Sequence, residues 1–526
     1  MAGHRIRWGT WLNLGTGLVA LAAYWATLSP APFPLASARL IVEHAGLGDT
    51  TPTASPLWTL LVRLVALLPW GTLAGRLNLL SALCGALGVW LFGRVLRRAV
   101  WLAIEVNDSN RAVASRAATW AGLTGALFLA FCPPYWFVAN RAHPASFHLV
   151  LLLVAANGLV GLLEKFSLRR ALALALFYGL GVAEFATFIL FGPLVLAALL
   201  FGLWREGRLK AGPLLALAGA GVLGLSLYLW TALAFRATPD FVIKGAPPLW
   251  RVVVALWRDQ YHLIAKSLPR VGWLIVLLVG VVPWLAVLLV GRRALNEERD
   301  WGFYILHALL SAVVVAVLFN VRFAPWALLG PYLLLVTPYA LLAACYGYLV
   351  AYWFLLPEVW WRDAEEPARL RLRRWTGPVL AGVALGLTAA AAVRNRQWTD
   401  ASGALAVHRY ARAVVEHLSG RTWLVTDGAL DDNVRLAAEM SLDTICLTEH
   451  APQLYVSADD FWAGRHIRQP ELWRNSPAGR MAEYRKLVDP LRRLDRKLSL
   501  HIDLDLKPGG TEVSAVSRAC SPGCSA

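Results

Sequence analysis

From its amino end the chain alternates apolar runs of membrane length with short polar or basic joints. A helix of about 20 apolar residues crosses roughly 30 Å of hydrocarbon. In lipid, only a helix closes its own backbone hydrogen bonds within one segment. The pattern predicts about eleven spans, near 8–28, 78–94, 117–137, 144–163, 171–184, 188–203, 212–234, 272–291, 302–320, 326–355 and 376–393. Two joints are too long for turns. The first, 29–77, carries Pro30, Pro32, Pro34, Pro52 and Pro56, so no single helix runs through it. It holds a helix-like piece from Ala36 to Ala45 and an amphipathic piece from Pro56 to Leu68. The second, 235–270, has apolar residues at helical spacing from Trp250 to Ala265, the pattern of a helix lying in the membrane interface.

Beyond Asn395 the apolar runs shorten and charges alternate. Residues 421–427 and 443–449 read as buried strands on either side of a short helix, a β-α-β unit with 422–426 and 444–448 as parallel neighbours. The Gly-x-Gly elements of a dinucleotide fingerprint are absent, which argues against a bound nucleotide. Residues 465–500 are Arg-rich and helical in pattern, and 511–526 read as a disordered tail. The expected organisation is a transmembrane domain over 1–394, a small extracytoplasmic α/β domain over 395–510, and the tail.

Composition fits a polytopic α-helical membrane protein: 58% of the 526 residues are hydrophobic and the mean hydropathy is +0.54. The net charge of +17 suggests nucleic acid at first sight, but no basic soluble module accompanies it. Arg clusters near 97, 169, 208, 293 and 371 instead fall on one side of the predicted topology. By the positive-inside rule the amino terminus is cytoplasmic, and both long loops and everything after the last span lie outside. The predicted location is a multi-pass plasma (inner) membrane. Many of the 25 tryptophans sit near span ends, as interfacial belts require. Cys84, Cys132 and Cys345 read as small core residues, Cys446 falls in a predicted strand, and Cys520 and Cys524 could pair if exported. The cysteines do not make a zinc set.

Several blocks resemble a bacterial family classed as protein O-mannosyltransferase-like, within the GT-C type of membrane glycosyltransferases. Pro56-Leu57-Trp58 with Arg63-Leu64 matches a first-loop element. Arg76-Leu77-Asn78-Leu79-Leu80-Ser81-Ala82 matches a characteristic start of the second span. Tyr135-Trp136, Tyr178-Gly179-Leu180-Gly181 and Trp257-Arg258-Asp259-Gln260-Tyr261 match further on. The resemblance spans about 8–393 and implies a GT-C-like fold. It also implies sugar transfer from a polyprenyl-phosphate donor to a protein or envelope-glycan acceptor at the outer membrane face. Membrane lipid is then a partner, nucleic acid is not, and no cofactor is fixed beyond room for a divalent cation.

The usual first-loop acids are replaced: Ala36 stands at the aspartate position and Arg39 at the glutamate position. The second outer loop's usual glutamate aligns with His143. The acids left on the first loop are Glu43 and Asp49, the candidate catalytic residues. Arg39, Arg63, His143, Arg258 and Tyr261 are the candidate donor-binding residues, because arginine pairs well with phosphate. Glu184 stands out as an acid at the end of an apolar run, where it is costly unless paired. Asp427, Asp431 and Asp432 read as turn and helix-capping residues, with cation binding as the alternative role. The alternative for the whole chain is a non-catalytic descendant of the fold that binds lipid-linked glycan or a partner protein.

Overall fold

The computed structural model describes residues 2–34, 36–47, 54–104, 110–236, 248–266, 301–330, 336–361, 366–417, 423–426, 430–438, 443–446 and 498–500. These form two compact units, one of residues 1–30 and 43–403, the other of residues 31–42 and 404–526.

The first unit is helical. In chain order it contains α1 (Ala2–Ala26), the last turn of α2 (Ala36–Ala45), α3 (Pro56–Ala66), α4 (Leu73–Ala103), α5 (Arg111–Phe131), α6 (Pro133–Ala139), α7 (Ala145–Glu164) and α8 (Leu168–Glu184). It continues with α9 (Thr187–Leu190), α10 (Gly192–Arg205), α11 (Ala211–Leu225), α12 (Leu227–Arg236), α13 (Leu249–Lys266), α14 (Trp301–Leu318), α15 (Pro325–Leu329), α16 (Val336–Trp360) and α17 (Pro367–Thr399). Both helices expected in the first loop and the amphipathic helix of the second loop are present.

Among the described residues five helices are long and apolar enough to span a membrane, or six if the bent pair α5–α6 is one span. Of the expected eleven or so, this is the part seen among the described residues. Helices α8 and α10 are short, with 17 and 14 residues. The span expected at 272–291 lies outside the described residues. The run expected as one span at 326–355 is broken, because Gly330 ends α15 at φ 64°. Pro133 and Pro134 bend the chain by 68° between α5 and α6.

Small residues let the spans approach. A methyl on Gly179 of α8 would meet the Gly221 carbonyl of α11 and stand 3.0 Å from Gly224 Cα. Where the spans end, asparagines complete the hydrogen bonding that the helices leave open. Asn78 donates to the Ser29 carbonyl (2.7 Å) and accepts from the Ala142 amide (2.8 Å). Asn140 donates to the carbonyls of Thr27 (3.0 Å) and Thr399 (2.6 Å). Asn395 donates to those of Phe131 (3.0 Å) and Leu318 (2.8 Å). Ser81 accepts from the His143 amide (3.0 Å). The Asn78 and Ser81 positions of the start of the second span thus tie α4 to the segments around 29 and 142.

In the second unit α18 (Leu405–His417) packs Ala411 against Val434 of α19 (Asp431–Ala437). Asn433 donates to the Pro32 carbonyl (3.0 Å), so the first residues of the first loop belong to this unit. Strand β1 (Trp423–Thr426) pairs in parallel with β2 (Asp443–Cys446) on one side and β3 (Leu498–Leu500) on the other. The expected parallel pair is present within the described residues. The strand at 498–500 corrects the helical reading of that stretch, whose Leu-Ser-Leu run is too short to carry a period. Asp431 and Asp432 stand at the start of α19, where negative charge complements the helix dipole, and the N-cap position itself is Leu430, which offers no side-chain cap. Asp427, Cys520 and Cys524 lie outside the described residues.

Replacing Asn78 by alanine leaves the buried Ser29 carbonyl and Ala142 amide without these partners. Each orphaned group costs about 1–3 kcal/mol. Thermal unfolding in detergent should show a clear fall in Tm, and an unchanged Tm would show that this polar junction contributes nothing.

Candidate functional site

The first unit gathers charged and hydroxyl side chains where α2, α3, α7 and α8 end. Helix α3 starts at Pro56, which needs no amide partner and fixes φ for a first helical turn. Its face with Pro56, Trp58, Thr59 and Val62 is buried, while Leu60, Arg63, Leu64 and Leu67 are exposed. An apolar outer face carrying one arginine suits a helix on a membrane surface.

The start of α3 is held by Glu184, the last residue of α8. The Leu57 amide donates to Glu184 Oε2 (2.7 Å) and the Trp58 amide to Oε1 (3.1 Å). Glu184 is 0% exposed. A helix amino end offers unpaired amides and a partial positive charge, which is how a carboxylate can be buried there. His148, on the first turns of α7, adds Nε2 at 3.2 Å from Glu184 Oε1, and its ring lies flat on Phe185 at 4.4 Å. Ser55, just before α3, sits in the left-handed region at φ 57° and places its hydroxyl 3.2 Å from the same Nε2. This is not a Ser-His-acid relay. A relay needs the hydroxyl and the carboxylate on different ring nitrogens, and here both share one.

Next to this tether, His44 Nδ1 lies 2.7 Å from Thr59 Oγ1. The Thr59 hydroxyl donates to the Ser55 carbonyl at 3.0 Å. With that proton on Ser55, His44 is the tautomer whose Nδ1 donates to Thr59 and whose lone pair is on Nε2. His44 is 3% exposed, and burial pushes its pKa down to about 4, with Glu43 and Glu184 opposing the shift and His148 and Arg63 adding to it. Gly46 ends α2 at φ 78°, and the Arg63 guanidinium stands 3.8 Å from where a side chain at Gly46 would begin. His143, in the α6–α7 connection, accepts the Ala145 amide on Nδ1 at 3.1 Å. Burial pushes its pKa down to about 3, with His148, Arg141 and His44 adding to the shift.

Of the residues expected from sequence, Glu43, Arg63 and His143 are joined to this cluster by position or by charge coupling to its histidines. Arg39 is exposed and belongs to the second unit. Arg258 is exposed on α13, with no described contact to the cluster. Asp49 and the Tyr261 side chain lie outside what is described. No group of three or more His, Cys, Asp or Glu able to hold a metal is found among the described residues. The sequence pattern does not single out His44, Ser55, Thr59 or His148. Only a general signal existed, for His148, since a histidine opening an apolar span needs a partner for the same reason as Glu184.

Two outcomes follow. Glu184→Ala removes two hydrogen bonds to a carboxylate, each about 1.5–3 kcal/mol. Hydrogen exchange should therefore speed up at the Leu57 and Trp58 amides by about tenfold or more, and unchanged exchange would show that the tether does not hold α3. The second concerns pH. The folded-state pKa of His44, about 4, lies below its unfolded value of about 6.5. As pH falls between these values the unfolded chain takes up a proton that the folded chain refuses. Stability should fall by up to about 1.4 kcal/mol per pH unit on this account, and His44→Gln should remove that part of the slope in acid-unfolding measurements.

Residues 37–208 match the family described as the protein O-mannosyl-transferase TMEM260 N-terminal domain. No curated protein matches the chain. Among solved structures the chain is similar to ArnT from Cupriavidus metallidurans bound to undecaprenyl phosphate, at 16% identity over 87% of this chain and 88% of that one, with a TM-score of 0.46. It is also similar to the Archaeoglobus fulgidus oligosaccharyltransferase tethered with an acceptor peptide, at 11% identity over 87% of this chain and 68% of that one, with a TM-score of 0.44. The matched segment 37–208 encloses the whole cluster from Glu43 to Glu184, so it is in the part of the chain holding these side chains that the protein resembles the protein O-mannosyltransferase-like family.

Proposed function

We propose that this chain is a membrane glycosyltransferase of the GT-C type, moving a sugar from a polyprenyl-phosphate donor to a hydroxyl of a protein or envelope glycan. The observation that carries the reading is the coincidence just described: the family match and the cluster of α2, α3, α7 and α8 occupy the same segment. Arg63, exposed on α3 beside the end of α2, is the donor-phosphate ligand at the membrane surface. Arg258, Tyr261 and His143 are further donor or acceptor contacts, and Glu43 and Asp49 are the first-loop acids. The amino terminus is cytoplasmic. The transmembrane domain over 1–394 carries the site on its outer face, and residues 395–510 form an extracytoplasmic α/β domain ahead of the tail at 511–526.

One observation favours a second reading. Helix α2 carries Ala36 and Arg39 where the resembled family places acids, so the chain could bind lipid-linked glycan without transferring it. The experiment is sugar transfer by the purified protein in vesicles containing radiolabelled polyprenyl-phosphate mannose and an envelope extract as acceptor. The first reading expects label in the acceptor. It also expects Arg63→Ala to raise the donor KM by about tenfold or more, through loss of a charge-assisted contact. Retained binding of undecaprenyl phosphate with no transfer from any polyprenyl-phosphate sugar would establish the second.

A further inference from the structure

We propose that His44 is the proton acceptor of this site, taking the hydrogen of the acceptor hydroxyl on Nε2. This rests on the transferase reading. In that reaction the acceptor oxygen bonds to the anomeric carbon. The bond from that carbon to the phosphate oxygen breaks, and its electron pair leaves on the polyprenyl phosphate. The hydroxyl proton must pass to a base with an uncommitted lone pair.

Hydrogen bonding distinguishes the groups of the cluster. Glu184 is consumed by two helix amides and His148, with no exposed surface. His143 uses its Nδ1 lone pair on the Ala145 amide, which leaves Nε2 as an N–H in the neutral ring. His148 is fixed between Glu184, Ser55 and the face of Phe185, with Nε2 shared by both oxygens. His44 differs. Thr59 spends its own proton on Ser55 and so orients His44 with Nδ1–H bound, and Nε2 has no hydrogen-bond partner among the described residues. A hydrogen bond that fixes the tautomer through the other ring nitrogen is the usual way a histidine base is prepared, most often to a carboxylate or carbonyl and here to a hydroxyl.

The placement suits the chemistry. Thr59 and Arg63 are four residues apart on α3 and so are neighbours along the helix, Thr59 on its buried side and Arg63 at the exposed edge. Thr59 holds His44, and the Arg63 guanidinium stands against Gly46, two residues beyond His44. The lone pair and the cation therefore belong to one seam between the end of α2 and α3. Glu43, Glu184, His148, Arg63 and His143 are the charged or titratable groups coupled to His44 there. Glu43 precedes His44 on α2, and successive helical side chains diverge by about 100°, so one of the two serves a given substrate pose and the experiment separates them.

The test uses the full-length protein in vesicles with polyprenyl-phosphate mannose. His44→Gln keeps a side-chain donor for Thr59 and should bind undecaprenyl phosphate within about threefold of wild type, while kcat falls by about 10²–10⁴-fold. Thr59→Val removes the orienting hydroxyl but not Nε2 and should lower kcat by about tenfold. In His44→Ala, added imidazoles of graded pKa should restore transfer at rates that rise with base strength, which filling space would not do. Wild-type kcat in His44→Gln, a kcat loss confined to Glu43→Gln, or rescue independent of azole pKa would overturn the proposal and leave the transferase reading standing. A wild-type protein that transfers no sugar would overturn both.

Discussion

A carboxylate with no access to water is the constraint on which the site depends. Glu184 closes α8 at the edge of the apolar bundle, where an uncompensated acid is costly. Compensation comes from the amino end of another helix, whose first amides have no partner of their own. That solution fixes where α3 begins and which way it points. Ser55 is drawn into a left-handed conformation and its hydroxyl onto His148. One turn later Thr59 reaches His44, and two turns later Arg63 reaches the end of α2. A loop helix of eleven residues, too short to be stable alone, is thereby given a defined place.

A second set of polar contacts does for the spans what Glu184 does for the loop. Helix ends carry carbonyls and amides that the apolar bundle cannot solvate. Asn78, Asn140 and Asn395 answer several of them at once: Asn78 donates to one backbone group and accepts from another, and the amide groups of Asn140 and Asn395 each donate to two carbonyls. Asn140 alone joins the carbonyl ends of α1 and α17. The connection that follows it, with Arg141 donating to Thr399 and His143 anchored on Ser81, is held in one conformation. His143 is thus fixed by the scaffold rather than by the loop helices.

The three histidines show how neighbours assign different chemistry to one residue type. All lie within the same electrostatic cluster. His143 caps a backbone amide, His148 joins a carboxylate to a serine, and His44 is oriented by a threonine with its other nitrogen uncommitted. Residue type and spacing are equal to the sequence reader in all three cases. The partner on each ring nitrogen separates them.

Apolar runs, proline positions and the Arg asymmetry were enough to read a helical membrane protein with two long loops. The bounds Ala36–Ala45 were legible because Pro34 and Gly46 punctuate the chain on either side of an unbroken amphipathic decapeptide. Asn78 and Ser81 were visible as a motif, and the structure supplies their reason. The bend at Pro133 and the break at Gly330 were not legible, since apolar length reveals neither. Nor was the site. Glu184 lies 127 residues from Leu57 and His148 lies 93 from Ser55, so no local pattern could join them. Hydropathy is a property of neighbours along the chain and fixes which segments enter the bilayer. The state of a buried carboxylate or an imidazole is a property of neighbours in space, and only the packing of α3 against α7 and α8 decided it.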